Sequence, residues 1–520
     1  MQRAEPATTG GVRRAPRGLG RDMAVTGTSQ LIVAIGGLVL YRQLAIQQGI
    51  DGFADYALIK QAVTLVVPVA LIGLGPALPR AIAARRPDHT EPSAESFLLG
   101  ALAVASCASA VLILIALAAP AATASVLFGG SARQSLVAPF AATLASTVLF
   151  RVAYGFFRGR GRFVAGSVIE SIGVAIAPVV IVVVRPSAPI EHLVIAMASV
   201  LAALSLGAVV PGVARGIRGR LARLREAVSA LVRYGARRVP GDLAYVVLFA
   251  SAPALIARVG TAHDVAYFSA AQQILGLLTI AGLPIGLVAL PRLAALWGTD
   301  RPAARRVTLD VVQAGILAGA FITVQLLAFG DVAARAWLGP AFADSGTVIR
   351  TVAAATGAYL LYVLLRSPID AVAVRSYNTR NTLVAVVVFA LLVGAGRLLD
   401  LGSEAITVAF SVGLALLGIL SLVTAGQLFG IRVRQFQLVA CALAILPVAV
   451  IAAVVRLRID IADAGLTTLL GIAVLEPFLL ALYLLALHLS GARLPGGPLR
   501  RRLGLEDARG DEAETEGEEE

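Results

Sequence analysis

A chain of 520 residues that returns some fourteen times to an apolar run of about 20 residues has very few folds open to it. A helix of that length rises ~1.5 Å per residue and so crosses ~30 Å of hydrocarbon. Hydrocarbon offers the backbone no hydrogen-bond partners, so each run must close its own hydrogen bonds as a helix. The runs lie near 24–46, 56–79, 96–119, 135–157, 164–184 and 190–212, then near 240–259, 267–291, 308–330, 346–366, 381–399 and 404–428, and finally near 434–455 and 465–489. The expected fold class is an all-α polytopic membrane protein with about 14 transmembrane helices: two pseudo-symmetric six-helix lobes and two further C-terminal helices.

Hydrophobic residues make up 58% of the chain and charged ones 14%, yet the formal net charge is +13. In a soluble chain that excess would suggest nucleic acid. Here the arginines crowd the gaps between apolar runs, where they set orientation in a bilayer, so no nucleic-acid partner is expected. With the N-terminus in the cytoplasm, Arg80, Arg85 and Arg86, Arg158, Arg160 and Arg162, Arg292, Arg301, Arg305 and Arg306, Arg375 and Arg380, and Arg432 and Arg434 all fall inside. The opposite loops 120–134, 185–191 and 259–265 carry one arginine or none. Both termini are therefore expected in the cytoplasm. The arginine-rich start precedes a run too long for a signal-peptide core, so the first helix is read as retained. Arginine outnumbers lysine 43 to 1 beside abundant Ala and Gly, which suggests a GC-rich bacterial genome. The expected location is the bacterial cytoplasmic (inner) membrane, in keeping with the family resemblance given below.

The chain repeats itself. The stretch from Gly49 to Arg86, which holds the single lysine Lys60, returns in altered form from Gly260 to Trp297, with Gln273 opposite Gln61 and Phe268 opposite Tyr56. Ala77-Leu78-Pro79-Arg80 returns as Ala289-Leu290-Pro291-Arg292, Leu127-Phe128-Gly129 as Trp337-Leu338-Gly339, and Val148-Leu149-Phe150-Arg151 as Val363-Leu364-Leu365-Arg366. These matches share an offset near 212 and one topological place each. Six helices per copy make the copies parallel, related by an axis along the membrane normal. The expected organisation is a basic cytoplasmic tail (1–22), an N-lobe (23–212), a cytoplasmic amphipathic linker (213–238), a C-lobe (239–430), the two extra helices (431–490) and an acidic, disordered cytoplasmic tail (491–520). In the linker Val213, Ile217, Leu221, Leu224, Val228 and Leu231 recur at helical spacing against Arg215, Arg218, Arg223 and Arg225.

Few residues within the runs carry chemistry. A charge near the bilayer centre costs about 2.5–3.5 kcal/mol on insertion scales, so those present face a cavity or a partner. Lys60 sits about one turn into its run and either snorkels to the headgroups or faces a cavity. Gln61, Gln272 and Gln273 lie at its level, where interhelix hydrogen bonding is the plain alternative to ligand binding. Arg151 lies deeper, with Glu170 on the next helix as the partner a purely structural role would need. Arg366 is its counterpart, with Asp370 one turn on. Glu476, before Pro477 in the last run, either answers an ion gradient or makes a polar contact between the extra helices and the second lobe. Cys107 and Cys441 are far apart within apolar runs, and His89, His192, His263 and His488 are scattered, so no disulfide, metal site or cofactor is expected.

Arg42 followed by Gly52-Phe53-Ala54-Asp55-Tyr56-Ala57, Arg258 followed by Val265-Ala266-Tyr267-Phe268-Ser269-Ala270-Ala271, and Leu338-Gly339-Pro340-Ala341-Phe342 before the tenth run resemble the helix junctions of the multidrug/oligosaccharidyl-lipid/polysaccharide exporter superfamily. The branch most similar is that of polysaccharide transporters and lipid-linked oligosaccharide flippases, including the lipid II and O-antigen types. The resemblance implies two lobes around a central cavity and export of an undecaprenyl-pyrophosphate-linked sugar by alternating access, for polysaccharide or cell-wall biosynthesis. On that reading Arg42, Lys60, Arg151 and Arg366, assisted by Gln61, Gln272 and Gln273, contact the anionic head, because guanidinium and ammonium groups bind phosphate oxygens well. Glu170 and Glu476 become candidate carboxylates for proton or sodium coupling or for structure. The partners implied are the lipid-linked glycan and membrane lipids. The nearest alternative, a drug or cation antiporter of the same superfamily, calls for more carboxylate in the cavity than the first six runs offer. A membrane glycosyltransferase would need a catalytic acid or base on a large loop, and none is present, so no enzyme is expected. A scaffold for wall-synthesis enzymes would leave the cavity charges dispensable.

Overall fold

The structure, a computed structural model, describes residues 19–85, 92–218, 223–236, 239–373, 375–461, 463–490 and 492. The basic stretch before Leu19, Arg86 and the acidic tail after residue 492 lie outside the described residues. All regular elements described are helical: α1 (Leu19–Gln47), α2 (Gly49–Leu71), α3 (Leu74–Ala83), α4 (Ala94–Ala118), α5 (Pro120–Leu127), α6 (Val137–Gly159), α7 (Phe163–Glu170), α8 (Ala177–Val184), α9 (Ile190–Arg218), α10 (Leu224–Ala236), α11 (Val239–Ala250), α12 (Ala252–Val259), α13 (Ala262–Thr299), α14 (Arg301–Leu338), α15 (Gly346–Ala353), α16 (Thr356–Val372), α17 (Tyr377–Leu398), α18 (Gly402–Phe429), α19 (Leu438–Leu457) and α20 (Leu466–Leu489).

Among the described residues twelve helices are long and apolar enough to cross a membrane, thirteen with the bent pair Pro340–Ala353 and Thr356–Val372. The 38-residue helix α13 takes the place of the eighth expected run, so each of the fourteen runs falls on a helical span. Large hydrophobics such as Leu114, Leu398 and Val439 are exposed around the bundle, as a lipid-facing surface requires. This is a multi-pass membrane protein.

Where the expected boundaries fail, the backbone explains why. The run expected at 56–79 is α2 followed by a separate α3, because Ile72 and Gly73 turn left-handed (φ 48° and 73°) and end α2. Gly73 meets Gly235 of α10 so closely that a Cβ there would lie 2.3 Å from the Gly235 carbonyl oxygen, so only glycine fits. The counterpart α13 carries Pro284 through an unbroken helix. In the expected linker Val213 and Ile217 fall on α9, and Leu224, Val228 and Leu231 on α10, an amphipathic helix that packs on α3 and α4 of the first lobe; residues 219–222, Leu221 among them, lie outside the described residues. The fifth span is interrupted by a π-helical stretch, Ser171–Ile176, between α7 and α8. Such widened turns recur at functional sites.

Two hydrogen bonds reveal the pseudo-twofold axis. Lys60 Nζ donates to Gln273 Oε1 at 3.3 Å, and Gln61 Nε2 donates to Gln272 Oε1 at 2.6 Å. Under the repeat Lys60 exchanges with Gln272 and Gln61 with Gln273, so each bond is the image of the other. α2 and α13 thus meet face to face across the lobes.

Candidate functional site

The first lobe encloses a cavity of about 590 Å³ walled by α1, α2, α6, the broken fifth span and α9. Lys60 from α2, Arg151 and Arg158 from α6, and Glu170 from the end of α7 all line it, with Gln30, Tyr56, Thr143, Thr147 and Tyr154 between them. Arg151 and Arg158 are seven residues apart, about two helical turns, and so share one face of α6. Arg158 stacks over Tyr154 at 5.3 Å and donates to its hydroxyl at 3.4 Å. Arg151 is exposed to the cavity with its guanidinium 5.9 Å from the Phe150 ring.

The carboxylate is already engaged. Glu170 accepts from Gln30 Nε2 at 3.0 Å to both oxygens and from Ser29 Oγ at 3.1 Å, and Ser29 lies 3.1 Å from Ser171 Oγ. None of the salt bridges among the described residues joins Arg151 to Glu170. The structural pairing that the sequence left open is therefore not formed, and Arg151 faces the cavity. Three cations and one hydrogen-bonded carboxylate leave the wall net positive, suited to an anion with several phosphate oxygens.

Lys60 resolves the other open alternative. It does not snorkel: it is held by Tyr41 Oη at 3.2 Å, with its ammonium 4.8 Å from that ring's centre, and by Gln273. It also lines a second cavity of about 270 Å³ between α1, α2, α13 and α14, together with Gln273 and Trp337. Lys60 and Tyr56 thus form a partition between the cavity of the first lobe and the gap between lobes.

The remaining expected residues scatter. Gln61 and Gln272 bond to one another, and Gln272 Nε2 also donates to the Phe249 carbonyl, so they serve helix packing. Arg42 does not line the first-lobe cavity. Its guanidinium donates to the carbonyls of Ala336 and Trp337 at the C-terminal end of α14. Arg366 lies in the second lobe, 5.7 Å from the Tyr245 ring, among Tyr245, Tyr359 and Tyr362. Its carbonyl and Asp370 both accept from Asn378. Glu476 makes the plain contact considered above, accepting from Gln325 Nε2 of α14 at 2.6 Å. No group of three or more His, Cys, Asp or Glu that could hold a metal occurs among the described residues.

Sequence reasoning missed Arg158, Tyr154 and Gln30 as cavity residues. It assigned Arg158 to the charged interface, although its spacing of seven from Arg151 was a readable sign that the two share a face.

The family model described as "Polysaccharide biosynthesis protein" matches residues 19–297. Among solved structures, one described as "Lipid II flippase MurJ, inward closed conformation" aligns at a TM-score of 0.67 and 11% identity over 92% of this chain and 99% of that one. An inward-facing multidrug resistance MATE family transporter of the MOP superfamily aligns at 0.57 and 14% identity over 76% of this chain and 94% of that one. An outward-facing one aligns at 0.51 and 14% over 80% and 99%. No match emerges among curated protein sequences. At these identities the structural likeness speaks for the fold.

Proposed function

This chain belongs to the polysaccharide biosynthesis protein family, and from that premise we propose that it is a transporter that moves an undecaprenyl-pyrophosphate-linked oligosaccharide, or a related anionic glycolipid, across the bacterial cytoplasmic membrane. The observation that carries the reading is the wall formed by Lys60, Arg151 and Arg158 in one cavity, opposed by a single carboxylate already held by neutral donors. Those three cations receive the phosphate-bearing head while the hydrocarbon tail stays in lipid. The lobes rock about the axis between α2 and α13, with both termini in the cytoplasm, and the cavity changes sides. Glu170 is the candidate for coupling to a proton or sodium gradient, because it lies in the same cavity as the cations and beside a π-helical turn that can readjust.

Depleting the protein and labelling lipid-linked precursors from one face of the membrane tests this directly. Precursors accumulate on the cytoplasmic leaflet if it exports them, and an unchanged leaflet distribution rejects the reading. Glu170 also supports a second reading, a drug or cation antiporter of similar fold. A strain lacking the protein would then lose drug resistance while its glycolipids remained normally distributed.

A further inference from the structure

Two arginines outside the cavity lie near the ends of repeat-related spans. Arg42 stands five residues before the end of α1 and Arg258 one residue before the end of α12, about one helical turn apart in the repeat register, and each reaches into the other lobe. Arg42 donates to the Ala336 and Trp337 carbonyls in the last turn of α14, and Arg258 Nη2 donates to the Ser125 and Val126 carbonyls of α5 at 3.1 and 3.0 Å. The Leu127-Phe128-Gly129 and Trp337-Leu338-Gly339 matches show that the two acceptor sites are themselves repeat mates, to within one residue. An arginine at helix C-terminal carbonyls satisfies acceptors that lack intrahelical donors and lies at the negative end of the helix dipole.

Both acceptor ends are braced by ion pairs on their own side of the lobe boundary, the second with help from the extra helix α19. Arg133 donates to the Phe128 carbonyl and lies 3.5 Å from Asp55, while Asp331, one turn before Arg335, pairs with Arg350 and Arg456. Around each contact the lobes touch closely. Trp337 Nε1 donates to the Leu38 carbonyl at 3.0 Å, and a Cβ on Gly129 would lie 2.7 Å from the backbone of Ala257. All these contacts lie at the end of the bundle where the first and seventh spans finish, the outer end in the proposed orientation.

We propose that Arg42 and Arg258 are a pair of twofold-related latches that hold the outer ends of the lobes together, and that both must release their carbonyl acceptors for the cavity to open outward. This rests on the rocking of two lobes given above but not on the identity of the cargo. The latches are independent contacts on opposite sides of the axis, so their effects multiply.

The test uses the full chain in right-side-out membrane vesicles, with Cys107 and Cys441 replaced by Ala and Val33, which lines both cavities, replaced by Cys. A membrane-impermeant maleimide is added outside. Arg42→Gln and Arg258→Gln are each expected to raise the labelling rate about tenfold, equivalent to about 1.4 kcal/mol, and the double variant about a hundredfold. Arg42→Lys and Arg258→Lys keep the charge but not the forked donor geometry, and are expected to label at intermediate rates. They carry the test if the Gln variants do not fold. Arg185→Gln, an exposed arginine within the first lobe, should label at the parent rate. Parent-rate labelling in the folded double variant, or an equal rise in Arg185→Gln, overturns the proposal. Because labelling needs no cargo, either result stands apart from the precursor-leaflet experiment.

Discussion

The two lobes share a plan but not its chemistry. Arg151 and Arg366 hold the same place in the repeat, yet Arg151 opens into a cavity of about 590 Å³ with Lys60 and Arg158, whereas Arg366 sits among three tyrosines with Asp370 close by. In the first lobe the fifth span loosens into a π-helical turn beside Glu170, while its counterpart α17 is a regular helix whose Asn381 is buried against Thr424 at 3.0 Å. The second lobe builds a buried ion knot: Asp331, fully buried, holds Arg350 and Arg456 and so ties the extra helix α19 to α14. Duplication supplied one scaffold twice. The first copy turns Lys60, Arg151 and Arg158 toward one cavity, whereas in the second Arg350 and Arg456 are tied to Asp331.

The largest expected effect separates the two arginines. Replacing Lys60 and Arg151 together by Ala should reduce export of the lipid-linked precursor by at least about 100-fold, since each charged hydrogen bond to a phosphate is worth about 1.5–3 kcal/mol. Arg366→Ala should cost no more than about tenfold and act through folding of the second lobe, lost cation–π contact included. Leaflet-specific labelling and thermal unfolding of the same variants check this. Equal export defects in Arg151→Ala and Arg366→Ala, with unfolding unchanged in both, would remove the distinction between the lobes.

A stability measurement sharpens the comparison from the other side. Asp331→Ala strands two guanidiniums, and breaking a buried ion pair costs about 3–5 kcal/mol. Because the Arg350 side chain is 43% exposed, the lower end of that range applies. The variant should unfold well before the parent in a thermal scan. A cavity-wall substitution such as Arg151→Ala, which breaks no ion pair, should leave the unfolding temperature nearly unmoved. A negligible shift for Asp331→Ala would mean that the second lobe does not depend on this knot.

Much of this was legible in the sequence, for identifiable reasons. Apolar length fixes a span because hydrocarbon thickness is constant, and a repeat fixes topology because equivalent residues must meet about an axis. The Lys60, Gln61, Gln272 and Gln273 register therefore survives into the structure as two mirrored hydrogen bonds. The acceptors of Arg42 and Arg258 were not legible, since main-chain carbonyls carry no residue signature. Nor was the left-handed turn at Ile72 and Gly73, because Pro284 in α13 shows that the same kinds of residue also pass through an intact helix. The partners of Glu170 were missed because Ser29 and Gln30 come from a helix four spans earlier, and nothing local marks polar residues as neighbours of a distant carboxylate.

A smaller effect distinguishes the carboxylates. Glu170→Gln retains an acceptor for Ser29 and Gln30, so the fold should change by less than about 1 kcal/mol, the worth of an ordinary hydrogen bond. Export driven by an imposed proton or sodium gradient should nevertheless lose its dependence on the gradient, because the titratable or cation-binding group facing Arg151, Tyr154 and Arg158 is gone. Flux assays in vesicles with and without each gradient read this out. An undiminished gradient response in Glu170→Gln would take coupling away from the first-lobe cavity.

The smallest effect is expected at Glu476, in the extra helix pair. Its contact is with Gln325 of α14, outside both cavities, and an amide can replace the carboxylate as acceptor for Gln325 Nε2 while offering its own NH₂ to Gln325 Oε1, which has no partner. Glu476→Gln should therefore leave export within about twofold of the parent and raise thermal stability slightly, as a completed amide pair offers about 1 kcal/mol. The same measurements that follow Glu170→Gln apply. Loss of gradient response at Glu476 but not at Glu170 would move the coupling group to the second lobe and its added helices, and would reverse the division of labour between the two copies.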